Sequence, residues 1–276
     1  MLGKLLKHEF RATGRTMLPV FAAVVVLTVL ANFSIRMIEN DMGTMLNILF
    51  GLVIAAFFIC ILAATIMTIV MMVKRFYTNY LKDEGYLMHT LPVSVHELVW
   101  SKMIVSVVWF LATFLLIWLV IILTVLFQTG TNLAEIFAQL PSWEEIRAAM
   151  AEIGVRESEL WLMLLESLLL TIVGGLFTCL HFYAAMSLGH MFSKDKILLS
   201  VVFFVGISFV LSLASTGYNV MRVQNFENLL NAVDSARDGL RFVRTMLHEG
   251  LIVELVESAA LYVTTTLSLK KGLNLA

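Results

Sequence analysis

The chain has 276 residues, of which 60% are hydrophobic and 14% charged, with a formal net charge of -1. Soluble domains carry about 45 to 50% apolar residues, so water is excluded as the solvent for most of this surface, and the charge balance by itself points to no nucleic-acid partner. Long apolar runs separated by short charged clusters suit a bilayer instead.

At the N-terminus, Leu2, Leu5, Leu6 and Phe10 share one helical face while Lys4, Lys7, Arg11 and Arg15 share the other. This spacing predicts an amphipathic helix over residues 1–15 lying flat in the membrane interface. The basic residues and the apolar run after them resemble a secretory signal, but the run is long enough to anchor and no small-x-small cleavage site follows it.

Six stretches approach the 20 or so apolar residues needed to cross a hydrocarbon core of about 30 Å. They are Met17 to Phe33, Met45 to Val73, Ile104 to Phe127, Trp161 to Ser187, Ile197 to Ser215 and Leu251 to Leu269. The second is free of charge from Gly43 through Val73, roughly 45 Å of helix at 1.5 Å per residue, so it tilts or projects beyond the membrane. Cys60 and Cys179 both fall inside apolar runs and read as small buried hydrophobes.

Orientation follows from the positive-inside rule. Lys4, Lys7, Lys74, Lys82, Lys102, Lys194, Lys196, Lys270 and Lys271 all fall in alternate segments: the N-terminus, the loops after spans 2 and 4, and the C-terminus. With Arg11, Arg15 and Arg75, twelve of the nineteen basic residues lie on that side, which is read as cytoplasmic. The stretch from Glu135 to Glu159 has six acids against two arginines and is read as outside.

Two outer segments exceed simple turns. Ser142 to Glu145 has the S-x-x-E form of a capping box, with Gly154 as a stop, and predicts a short helix. Tyr218 to Glu249 repeats apolar residues at Phe226, Leu229, Leu230, Val233, Leu240, Val243 and Leu247, one helical stripe with too many charges to cross a membrane.

Enzyme signatures are wanting. His96-Glu97-Leu98-Val99-Trp100 begins like a zinc-protease helix, but Trp100 stands where the second histidine is required. The other histidines show no metal-ligand spacing, and no G-x-x-x-x-G-K-[ST] loop is present to cradle nucleotide phosphates. The expectation is therefore no catalytic residue, no metal site and no cofactor in this chain.

The loop between spans 2 and 3 is the most informative segment. Span 2 is expected to continue as a helix to about Asp83, where Gly85 breaks it; Pro92 blocks a helix at Leu91, and Ser94 with Glu97 forms a second capping box leading into span 3. Between the breaks lie Tyr86, Leu87, Met88, His89 and Leu91, an apolar and aromatic knob rimmed by charge. Such a knob is a partner surface or packs on the neighbouring inner helices.

Glu84-Gly85, Thr90-Leu91-Pro92-Val93-Ser94 and Ser101-Lys102 resemble the permease subunits of bacterial type-2 ABC exporters. The likeness extends to the basic amphipathic helix, the six-span layout and the two inside termini. It implies that Glu84, Gly85, Tyr86, Leu87, Met88, His89, Leu91 and Pro92 form a coupling element that docks on separate ATPase subunits, which hold ATP and Mg. It further implies a second permease subunit, identical or related, and a bacterial plasma-membrane location. Family members usually carry their large outer segment between spans 5 and 6, whereas this chain has one between spans 3 and 4 as well. An importer signature would place the glycine farther from its I-x-L-P than the six residues from Gly85 to Leu91.

Polar residues in the last spans complete the reading. Glu254 and Glu257 lie near the outer end of span 6, Ser258, Thr265 and Ser268 extend their face inward, and Glu166 lies one turn inside span 4. Intramembrane carboxylates tend to face a bundle interior or wet cavity, so Glu166, Glu254, Glu257, Ser258 and Thr265 are candidate pathway-lining residues, or structural groups near headgroup water. Ser167, Thr171, Gly174 and Thr178 form a small-residue stripe of the kind that packs helices closely.

The expectation is an all-α polytopic membrane protein of one transmembrane domain over residues 1–276. In it, 1–15 is interfacial, 74–102 is the coupling loop, and 128–160 and 216–250 are extracytoplasmic helical segments. The preferred function is the permease of an ATP-driven exporter, its cargo an amphipathic peptide or another hydrophobic compound such as a drug or lipid. A membrane scaffold or sensor that binds a cytosolic partner, and an ion-driven secondary transporter, are the alternatives.

Overall fold

A computed structural model describes residues 2–40, 43–81, 94–130, 138, 141–231 and 235–271. Among them the regular structure is entirely helical: α1 (Leu2–Glu39), α2 (Thr44–Phe76), α3 (Val95–Thr129), α4 (Trp143–Glu152), α5 (Glu157–Gly189), α6 (Lys196–Asn231) and α7 (Ala236–Lys271). One π-helical turn, Tyr77–Leu81, extends α2. All but α4 contain a segment long and apolar enough to cross a membrane, and these six match the expected spans.

Two expectations change at the helix ends. The N-terminal segment is not a separate helix, because residues 2–15 run without interruption into the first span as α1, with Pro19 inside it. Proline removes one backbone donor and frees the Arg15 carbonyl, which bends a helix without ending it. Along its first turns Lys4, Lys7, Arg11 and Arg15 are exposed, while Glu9, Thr13 and Met17 are buried. Likewise, the stripe from Tyr218 to Glu249 is not one helix. α6 carries straight on to Asn231, and α7 begins afresh at Ala236, where the Ser235 hydroxyl accepts from Asp238 N at 3.3 Å. Nothing between Tyr218 and Asn231 interrupts the helical ladder, and each added turn gains a hydrogen bond for every residue it fixes.

Both capping boxes form as expected. Ser142 Oγ accepts from Glu145 N while Glu145 Oε2 accepts from Ser142 N at 2.7 Å, and Ser94 and Glu97 exchange the same two bonds at 3.1 and 3.2 Å. α4 ends in a Schellman turn: Val155 N donates to Met150 O at 2.9 Å and Gly154 N to Ala151 O at 3.1 Å, with Gly154 at φ +68°. That conformation is where glycine avoids a Cβ penalty.

The chain divides into two compact units. The first comprises residues 1–75 and 100–140. Here α1 and α3 run parallel, because Thr13 pairs with Trp109 and, farther along both helices, Asn32 pairs with Thr124 and Gln128. α2 runs against them, its Thr68 hydroxyl 2.9 Å from that of Thr113. Val24, Ala31, Phe57, Ala64, Leu116 and Val120 fill one part of the interior, and Met17, Met71, Val105 and Trp109 another. Lipid competes for apolar contact as well as protein does, so packing and the polar rungs hold such a bundle, each rung contributing about 0.6 kcal/mol on average.

The second unit comprises residues 76–99 and 141–276. α5 and α7 run parallel in close contact, with Gly174 against Glu254 and Leu170 against Gly250. α6 runs opposite to both, since His181 meets Ser208 and His190 meets Ser200. Gly174 is thus the member of the small-residue stripe that makes a close helix contact, whereas Thr171 is exposed. Cys179 is buried and Cys60 half-buried.

Candidate functional site

The residues expected to dock a partner, Glu84, Gly85, Tyr86, Leu87, Met88, His89, Leu91 and Pro92, lie outside the described residues. What the structure gives is how the loop's two stems are held within the second unit. Tyr80, on the π-helical turn, is buried and donates its hydroxyl to Leu98 O in the first turn of α3 at 2.9 Å, tying one stem to the other. Phe76 stacks flat on Tyr183 of α5, with centroids 3.9 Å apart and planes within 9°. Both rings have no exposed surface. π-helical turns insert one residue into the ladder and recur at functional sites; this one gathers Phe76, Tyr77 and Tyr80 toward α5 and α3.

The second stem is tied to α7. His96 Nδ1 lies 2.6 Å from Tyr262 Oη, and Lys270 Nζ donates to His96 Nε2 at 3.0 Å. An ammonium group only donates, so Nε2 is the acceptor in this pair. His190, at the end of α5, packs its ring edge-on against Tyr77. Its pKa is lowered by burial, opposed by the Met186 carbonyl that accepts from Nδ1, and lowered further by the positive charge of Lys196.

The intramembrane acids lie toward the other ends of the same helices. Glu254 occupies space opened by Gly174: a Cβ added there would sit 3.4 Å from Glu254 Oε2. Glu257 Oε1 accepts from Ser215 of α6 at 3.1 Å, and Glu166 Oε1 lies 3.6 Å from His248 Nδ1. Glu254 Oε2, Glu166 Oε2 and Ser258 Oγ are buried without a hydrogen-bond partner among the described residues. Thr265 is fully buried and donates its hydroxyl to Leu261 O of its own helix. The acids and His248 do not assemble into a group able to hold a metal among the described residues.

Residue-by-residue reading of the sequence missed a buried charge cluster in the first unit. Glu9 of α1 is bonded to Lys102 of α3 and has Arg75 Nε of α2 at 3.4 Å, although Glu9 and Lys102 are only 7% and 2% exposed. Thr13, Ser106, Met71 and Met72 close the crevice around them. A signal was present: Glu9 is the one acid among the first fifteen residues, and it falls on the apolar face with Leu2, Leu5 and Leu6.

Six long apolar helices with polar groups satisfied or buried between them define a multi-pass α-helical membrane protein. No protein-family model, curated protein or solved structure matches this chain.

Proposed function

We propose that this chain is the transmembrane permease subunit of an ATP-driven exporter, resembling the type-2 ABC class, in a bacterial plasma membrane with both termini cytoplasmic. Two permease subunits, identical or related, surround a pathway, and separate ATPase subunits holding ATP and Mg dock on residues 84–92. The chain is a carrier and leaves catalysis to its partners, having no G-x-x-x-x-G-K-[ST] loop of its own.

The observation that carries this reading is the grip of the loop stems on α5 and α7. Those are the two helices that bear Glu166, Glu254 and Glu257. Tyr183 and Glu166 are separated by roughly 26 Å along α5 at 1.5 Å per residue. A push on the loop moves the Tyr77–Leu81 turn and the start of α3 as one piece, since Tyr80 bonds Leu98. The Phe76–Tyr183 stack passes it to α5, and the His96 bonds pass it to α7. Rigid helices carry the displacement to the far end, where the buried carboxylate oxygens favour cationic segments of an amphipathic peptide or another hydrophobic cargo.

The test is the pair Leu87→Asp with Met88→Asp in membranes containing the chain and its ATPase. The double variant should insert normally, lose co-purification with the ATPase by at least tenfold and abolish cargo-dependent ATP hydrolysis. Unaltered association and transport would leave the loop a structural turn and sink the coupling reading.

A further inference from the structure

Lys4, Lys7, Arg11 and Arg15 are all exposed on α1 and have no ion-pair or hydrogen-bond partner among the described residues. Glu9, the acid that would neutralise them, is turned away into its bonds with Lys102 and Arg75. Four positive charges are therefore left on one side of about three helical turns. Where that side leads is informative. At 100° per residue, all four lie within about 60° of the direction of Leu18. Leu18 is 63% exposed, and the same side continues through Ala22, Val29 and Phe33, all exposed. One face of one helix thus changes from basic to apolar between Arg15 and Leu18.

The distances match a bilayer. From Arg15 to Arg36, the next basic residue, is roughly 31 Å of helix, against a hydrocarbon core of about 30 Å. Arg15 therefore sits at the hydrocarbon boundary, Arg11 about 6 Å and Lys7 about 12 Å beyond it, and Lys4 about 17 Å beyond. Headgroups occupy roughly the first 5 to 8 Å outside the core. Arg11 and Arg15 fall at phosphate depth, where a guanidinium binds two phosphate oxygens at once. The lysines lie within about a Debye length of a charged surface and reach back on long flexible stems.

We propose that the exposed basic face of α1 is a binding surface for anionic phospholipid headgroups, independent of whether the chain is an exporter. Lipid is the occupant because the basic face runs without a break into the lipid-facing face of the same helix. A protein partner covering it would have to lie half inside the bilayer.

The test uses the purified chain in vesicles of phosphatidylcholine containing phosphatidylglycerol, with spin-labelled forms of each lipid reporting their relative association with the protein. The expected result is a preference for phosphatidylglycerol on the order of fivefold, weakening in high salt. That preference should fall to near unity in Lys4→Gln/Lys7→Gln/Arg11→Gln/Arg15→Gln, and further in Arg11→Gln/Arg15→Gln than in Lys4→Gln/Lys7→Gln. Equal preference in wild type and the quadruple variant would overturn the proposal. So would capture of an acidic protein by this face with no lipid preference. Circular dichroism melting checks that the variants are folded, and where the quadruple variant is not, the two double variants decide by the same criterion.

Discussion

Glu9 and Lys102 show why single residues weigh more inside this bundle than at its surface. Each is removed from water, so deleting either one takes from the other its closest counter-charge, with Arg75 left as the remaining cation beside Glu9. Lys102→Met is accordingly expected to destabilise the first unit by about 3 to 5 kcal/mol, and Glu9→Leu by a similar amount, whereas the double change Glu9→Leu/Lys102→Met should recover most of the loss. Thermal or denaturant unfolding in detergent reads this directly; equal losses in the single and double variants would mean that the pair does not act as a unit. His190 carries a pH dependence of known sign. Burial lowers its folded pKa below the ordinary 6.5, so the unfolded chain takes up the proton first. Its contribution to stability is complete above 6.5 and is lost as pH falls toward the lower folded value. Wild type should therefore lose its melting-temperature advantage over His190→Asn as pH is lowered through that window. A constant difference between the two would remove His190 from the account.

At the scale of elements, the junction of α5 and α6 has the tightest tolerance. A Cβ on Gly189 would stand 2.3 Å from Ser200 Oγ, 2.5 Å from Ser200 N and 2.7 Å from Ser200 Cα. The hydroxyl can rotate away, but the backbone atoms cannot, so Gly189→Ala forces the helices apart and should cost about 1 to 3 kcal/mol. Gly51→Ala is the matched control, with nothing within 4 Å of its added methyl, and should be neutral or slightly stabilising because alanine is the better helix former. Folded yield and melting temperature in detergent distinguish them, and similar behaviour of the two variants would contradict the close approach. The loop stems depend on the same kind of fit. Phe76 and Tyr80 are one helical turn apart on α2 and its π-helical extension, so one ring meets α5 while the other reaches α3. Hydropathy identifies α2 as a span without revealing either contact, because an aromatic residue in an apolar run looks the same whether it faces lipid or a partner helix.

For the molecule as a whole, the element order, the six spans and both capping boxes were legible in the sequence, because each rests on local chemistry. A charge-free run must leave water, Ser-x-x-Glu satisfies two orphan donors at a helix start, and Gly154 accepts a positive φ whatever surrounds it. The basic face of α1 was legible for the same reason, although its continuity with the first span was not: Pro19 marks a bend as readily as a boundary. The acids of the last spans were also visible, but not their separate fates, with Glu254 set against Gly174, Glu257 bonded to Ser215 and Glu166 beside His248. The sequence by itself determined that this chain lives in a membrane as helices, since backbone groups in lipid have no other partner. Only the tertiary structure decided which polar groups meet: the burial of Glu9 between Lys102 and Arg75, the stack of Phe76 on Tyr183, and the grip of the stems on α5 and α7. Those pairings join residues up to 174 positions apart, and helical periodicity reports the face of a helix without reporting what that face will touch.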